Sequence, residues 1–211
     1  MSEFDIRKLS PEIMDDFFDF FDNRAFSDGS PFGPCYCNAY NMSKERIHKD
    51  LFERAKEFGG GSEGWHRAIR TSAEQMILDG ELKGYLAFDD GIAVGWCNAN
   101  DRANYYRVGE FDLSEIPDDI GFDNCSRGEI KSIVCYIISP DHRGRGMATA
   151  LLQKVIDDAT EDGYLYVETY PMIGGGYAGM AYTGPVSMYE KRGFFVHEQH
   201  GEACVMRKRL R

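Results

Sequence analysis

Residues 130–139, IKSIVCYIIS, are a largely apolar run broken only by Lys131 and two serines. The turn-rich PDHRGRG that follows passes directly into Ala150, Leu151, Val155, Ile156 and Ala159 at helical spacing. The first segment reads as a strand buried on both faces, and the second as an amphipathic helix over about 146–161. YLYVETY (164–170) then returns to strand character. A strand, a helix and a strand joined this way close as a right-handed crossover between parallel neighbours. This stretch constrains the chain more than any other. It requires an α/β (α+β) architecture, a mixed central sheet with parallel strands 130–139 and 164–170 and helices on its faces.

The remaining segments fit around that unit. FDIRKL (4–9) alternates as a strand, and Ser10-Pro11 opens a helix with Ile13, Phe17, Phe20 and Phe21 on one face. A long loop, 24–42, precedes two further amphipathic segments. Ser43 caps one with Ile47, Leu51, Ala55 and Phe58, stopped by Gly59-Gly60-Gly61, and Ser62 caps the next with Trp65, Ile69, Ala73, Met76 and Ile77, ending near Gly80. LKGYLAFDD and GIAVGWCNA form an antiparallel hairpin turning at Asp89-Asp90-Gly91. Residues 101–128, with the acidic DLSEIPDD, lack a period and read as a surface excursion. A glycine-rich loop (171–184), a short helix after Pro185 and a hairpin FFVHEQ/EACVMRK complete one domain over 1–211, with a helical and loop insertion at about 24–80.

Composition narrows the function. The formal net charge is −11, and basic clusters are confined to Arg143 with Arg145, Lys191 with Arg192, and the terminal RKRLR. Nucleic acid is therefore not expected as a partner, whereas a cationic amine suits the acidity. No apolar window is long enough to span a membrane, and the N-terminus has no secretory pattern. Six sparse cysteines read as reduced cytosolic thiols. The one close pair, Cys35 and Cys37, is C-x-C, without the paired spacing of a zinc site, so no metal is expected.

The residues richest in chemistry are Arg143-Gly144-Arg145-Gly146-Met147-Ala148, between the buried strand and the helix. Small residues let backbone N–H groups approach an anion, the first helical turn leaves N–H groups unpaired, and two arginines add charge. Together they predict a pyrophosphate site. A P-loop would need Gly-Lys-Ser/Thr, and a Rossmann fingerprint a third Gly or Ala where Thr149 stands.

About forty residues on comes Ser187-Met188-Tyr189-Glu190-Lys191-Arg192-Gly193-Phe194. A strand ending Tyr136-Ile137-Ile138-Ser139-Pro140, an R-x-x-G-x-A turn, a helix, a strand and then this Y-E-x-x-G-F corner resemble, in order and spacing, the GNAT superfamily of acetyl-CoA-dependent N-acetyltransferases, in the form of its poorly characterised bacterial members. The resemblance covers residues 130–198. It implies a fold in which the strands 130–139 and 164–170 splay apart to admit the pantetheine arm of acetyl-CoA, the acyl donor. The implied donor-binding residues are Tyr136, Ile137 and Ile138 beside the arm, and Arg143, Gly144, Arg145, Gly146, Met147, Ala148 and Thr149 around the pyrophosphate. Tyr189 matches the family's general acid, since a phenol stays protonated at neutral pH and can protonate the leaving thiolate. Gly193 reads as a helix C-terminal residue at positive φ.

The acceptor side follows the family less closely. Eleven residues before Arg143, where histone-directed members carry a glutamate, stands Ser132. Glu168 is the candidate base, with a water relay as the alternative. Seven residues before Tyr189, at a position often Asn in the family, stands Tyr182. Tyr182, with Cys35 and Cys37 from the long early loop, is expected to line the acceptor pocket, the cysteines as small buried residues or as acylated groups. The leading reading is acetyl transfer to a primary amine of a small molecule by direct attack, in the cytoplasm, with a homodimer left open. A CoA-binding sensor or interaction module without turnover, and a protein N-acetyltransferase, are the alternatives.

Overall fold

The computed structural model describes residues 4–30, 33–108, 111–112, 128–173 and 182–211. Strand β1 (Asp5–Lys8) leads through a 3-10 turn at Pro11–Ile13 into α1 (Met14–Asn23). Ser10 makes no side-chain cap there, and the fixed φ of Pro11 starts the turn instead. After the early loop come α2 (Lys44–Ile47), a π-helical stretch His48–Glu53, α3 (Arg54–Glu57) and α4 (Gly61–Leu78). Ser43 caps α2 as expected, its hydroxyl accepting from Arg46 N–H at 3.2 Å. The expected Ser62 cap is displaced: α4 already begins at Gly61, with Gly60 at φ 71° as its N-cap. Glycine reaches that backbone at no steric cost, so the helix starts two residues earlier than a cap at Ser62 would set it.

The hairpin β2 (Gly84–Asp89) and β3 (Ile92–Asp101) turns through Asp90 and Gly91, both at positive φ, the pairing that matches strand twist. A two-stranded ribbon, β4 (Arg107–Val108) with β5 (Phe111–Asp112), occupies part of the excursion, most of which lies outside the described residues. Then follow β6 (Ile130–Ile138), α5 (Met147–Glu161), β7 (Tyr166–Thr169), α6 (Val186–Glu190), β8 (Phe195–His200) and β9 (Ala203–Arg209). The seven-stranded sheet runs β1-β2-β3-β6-β7-β9-β8, and among its pairs only β6–β7 is parallel. This is the expected mixed sheet.

Each face of the sheet is buried under helices. On one side the α1 rings Phe17 and Phe21 meet Trp96, with Ala73 and Met76 of α4 in the same cluster. On the other, Leu151, Leu152, Val155 and Ile156 of α5 cover Val94, Ile133 and Val167. The contact between α5 and β3 is close: a Cβ at Gly95 would lie 2.4 Å from the Met147 sulfur, so the glycine lets that side chain lie directly on the strand.

The feature that positions the site is where β6 and β7 part. Their register runs from Ile130 opposite Tyr166 to Ile133 opposite Thr169 and stops, while β6 stays paired with β3 as far as Ile138 opposite Gly95. A bulge falls at the parting point, since Asn98 faces Cys135 and Ala99 faces Ile133, leaving Val134 as the extra residue. Bulges bend the strand that carries them, and here β6 and β7 part into a V; among the described residues no strand lies beside β6 residues 134–138 on the β7 side.

Candidate active site

Beyond the open end of β6 a cleft of about 540 Å³ is lined by Ile138, His142, Arg143, Gly144, Gly146, Met147, Ala148 and Thr149 on one wall. Pro185, Ser187, Met188, Lys191 and Arg192 form the other. Gly144 (φ 75°) and Gly146 (φ 83°) turn the chain into α5, and a Cβ on either would meet no atom within 4 Å. Their bareness serves the turn and an incoming group, not internal packing. The first intrahelical bond is from Ala150 N–H to the Gly146 carbonyl, so the N–H groups of Met147, Ala148 and Thr149 point out of the helix end. That end carries the positive pole of the macrodipole.

The two arginines of the turn differ from expectation. Arg143 lines the cleft, yet its guanidinium donates to Asp28 at 2.7 Å and to the Ile138 carbonyl at 3.2 Å. Arg145 lies off the cleft, paired with Asp89 at 3.1 Å. An arginine already paired must give up that contact to meet an anion, so the groups left unpaired at the turn are the backbone amides of the helix end. Lys191 and Arg192 of the Y-E-x-x-G-F corner supply cationic side chains to the opposite wall. In the sequence they form a short basic cluster directly after Tyr189 and Glu190.

Tyr189 is fully buried, its ring 5.4 Å from Phe194 and its hydroxyl donating to the Thr183 carbonyl. Burial pushes its phenol up, and nearby Thr169 and Tyr136 hydroxyls act in the other direction. The Tyr136 hydroxyl and Thr169 Oγ1 are both buried beside the Tyr189 hydroxyl. Thr169 is the last residue of β7 paired to β6, so these polar groups sit at the point of the V. Gly193 has φ 79°, as its helix-end position required.

Glu168 is 0% exposed, and its surroundings differ from those of a free base. One oxygen accepts from Arg207 Nε at 2.6 Å, and the other faces Arg102 Nε at 3.2 Å and accepts the Tyr170 hydroxyl. Tyr170 in turn meets Ser132 Oγ at 2.9 Å. Both oxygens are committed, which makes Glu168 the centre of a buried ion-pair network tying β6, β7 and β9 together.

The expected acceptor residues lie on the α1 and α4 side of the sheet. Cys35, Tyr40, Ile137 and Tyr182 all pack on the same cluster, which includes Cys37, Cys135 and Tyr170. Burial first, then the proximity of Cys135, Tyr182, Cys37 and Cys35, pushes the Tyr40 hydroxyl well up. Tyr182 and the C-x-C segment therefore share one face beside the V. Most of the glycine-rich loop before Tyr182, residues 174–181, lies outside the described residues.

Sequence comparison supplies the rest: residues 46–172 match the Acetyltransferase (GNAT) family. The chain belongs to that family. A GNAT domain is an acyl-CoA N-acyltransferase, and acetyl transfer is accordingly its chemistry. Among solved structures, the GNAT domain of S. lividans PAT is similar over 98% of this chain and 90% of that one, at 12% identity and a TM-score of 0.50. YncA of Salmonella typhimurium, a putative acetyltransferase solved with acetyl-CoA, covers 100% and 95% at 12% identity and a TM-score of 0.49. The PaiA N-acetyltransferase of Thermoplasma acidophilum, solved with coenzyme A, covers 99% of each chain at 18% identity and 0.46. No curated protein matches the chain. Among the described residues of this GNAT domain no group of three His, Cys, Asp or Glu side chains is placed to hold a metal ion. No helix among them is long and apolar enough to cross a membrane.

Proposed function

We propose that the chain transfers the acetyl group of acetyl-CoA to the primary amine of a small cytosolic molecule by direct attack. The observation that carries this reading is the V between β6 and β7, with an amide-lined helix end at its mouth and a buried tyrosine at its point. Acetyl-CoA supplies an activated thioester. The amides of Met147, Ala148 and Thr149, with Gly144 and Gly146 leaving room, hold its pyrophosphate, and Lys191 and Arg192 add charge from the opposite wall. The free β6 edge at Val134–Ile138 pairs with the amides of the arm as a missing strand would.

Tyr189 delivers the proton that the leaving thiolate needs. Its raised pKa keeps the phenol protonated, and it exchanges the Thr183 carbonyl for the sulfur when the arm is bound. Glu168, held by two arginines, orders the strands around the V, and water at the open acceptor side takes the proton of the attacking ammonium. Tyr182, Tyr40 and the C-x-C segment contact the acceptor.

The test is release of free thiol from acetyl-CoA with panels of amines, aminoglycosides, polyamines and amino acids, and with peptides. Turnover with a small amine supports the reading. Turnover only with peptides moves it to protein acetylation, and tight acetyl-CoA binding without thiol release makes the chain a sensor.

A further inference from the structure

Three cysteines lie in a row from the loop surface to the strand core. The Cys37 thiol donates to the Cys135 sulfur at 3.4 Å, and the Cys37 backbone N–H donates to the Cys35 sulfur at 3.3 Å. Cys35 is half-buried, whereas Cys37 and Cys135 are only 2% and 4% exposed. The alignment is held by Asn98, the cross-strand partner of Cys135. Its Nδ2 donates to the Cys37 carbonyl at 2.7 Å, and its Oδ1 accepts from the Tyr105 hydroxyl, also at 2.7 Å. This clamp keeps Cys37 at φ 52°, left-handed backbone that a residue with a Cβ adopts only at a cost. A buried amide thus spends both of its ends on placing one thiol against another.

We propose that these three thiols form a peroxide-driven relay whose product, a Cys37–Cys135 disulfide, fastens the early loop to β6. Hydrogen peroxide oxidises the Cys35 thiol to a sulfenic acid, its O–O bond breaking and one oxygen leaving as water. The Cys37 sulfur displaces the hydroxyl, giving a Cys35–Cys37 disulfide and a second water. Cys135 then attacks the Cys37 sulfur, and Cys35 leaves as a restored thiol. Overall two thiols lose two protons and two electrons, and one peroxide takes them up to become two waters. The closing sulfurs move from 3.4 Å to about 2.05 Å.

Contact with Cys135 and burial push the Cys37 thiol well above its ordinary range, and contact with Cys37 and burial do the same to Cys35. The thiolate fraction at neutral pH is small, so the relay is slow and answers to peroxide in excess. In the function proposed above the fastened loop lies at the acyl end of the donor, so the disulfide lowers acetyl transfer. That consequence rests on the functional reading, and the thiol chemistry does not.

The experiment treats the whole chain with hydrogen peroxide and follows intact mass, non-reducing peptide maps and acetyl transfer to an accepted amine. The expected product is lighter by about 2 Da, carries a Cys37–Cys135 link, transfers acetyl at least about fivefold more slowly and recovers with dithiothreitol. Cys35→Ala should form the link at least about tenfold more slowly. Cys135→Ala should stop at the Cys35–Cys37 link. Sulfinic or sulfonic adducts with Cys37 and Cys135 still open to alkylation, or a link formed at the wild-type rate in Cys35→Ala, overturn the relay. A linked protein that transfers acetyl at the full rate overturns its control of activity. A reduced protein that transfers to no acceptor counts against the functional reading, while the mass and peptide readouts still decide the relay.

Discussion

The two sides of the gap between β6 and β7 are built in opposite ways. On the α5 side the proposed anion site is nearly continuous in the chain: residues 143–149 make a turn and a helix end that lines the cleft. On the α1 and α4 side, the face with Tyr182 draws on the early loop, on Cys135 of β6 and on Tyr170, all through side chains. A backbone site tolerates drift in its side chains provided the turn keeps its shape. A site made of side chains from distant segments can change its ligand through one substitution. That contrast accounts for a common donor and a variable acceptor on one scaffold.

The sharpest way to break the contrast is Gly146→Glu, which puts bulk and negative charge at the helix end on a backbone with φ 83°. Acetyl-CoA affinity measured by calorimetry should fall by about a thousandfold. Unchanged affinity would remove the anion site from this turn. Next in size is Glu168→Gln, which leaves Arg102 and Arg207 facing a neutral amide. It should cost about 3 kcal/mol of stability, or roughly 8 °C in thermal midpoint. A variant as stable as wild type with a collapsed kcat would make Glu168 the base after all.

Tyr189→Phe should lower kcat by about a hundredfold with little change in the KM of acetyl-CoA, and an unaltered kcat would reduce Tyr189 to packing. Tyr182→Ala should raise the acceptor KM about tenfold and leave that of acetyl-CoA within about twofold. The reverse split would place Tyr182 on the donor side. The smallest effect belongs to the exposed Lys191. Lys191→Ala should weaken acetyl-CoA about threefold at low salt and less at high salt, and loss independent of salt would mean that its charge is not what matters.

The same contrast governs how much the sequence disclosed. The crossover at 130–170, the hairpin at Asp90-Gly91 and the glycine turn into α5 were legible because each depends on local period or on residues that accept positive φ. The pairing of the two arginines of the turn was not legible, because their partners, Asp28 and Asp89, lie far away in the chain. Glu168 was hidden for the same reason: the arginines that hold it come from positions 102 and 207. The grouping of Tyr182 with the C-x-C segment was an expectation from resemblance, and only the packing of the early loop onto β6 put them on one face. The start of α4 was missed because Ser62 carries a cap-like side chain while Gly60 reaches the cap conformation more cheaply.

Gly95 has a further consequence for the reach of the site. With no Cβ on β3 at that point, the first turn of α5 rests on the strand through the thickness of a single thioether, that of Met147. The spacing between the amides of the helix end and the open edge of β6 is thereby gauged by a methionine seated on bare backbone. In the function proposed above, the donor's arm spans this interval. A methyl group added at position 95 would lengthen the gauge, and the two ends of the site would fall out of step although neither had been touched.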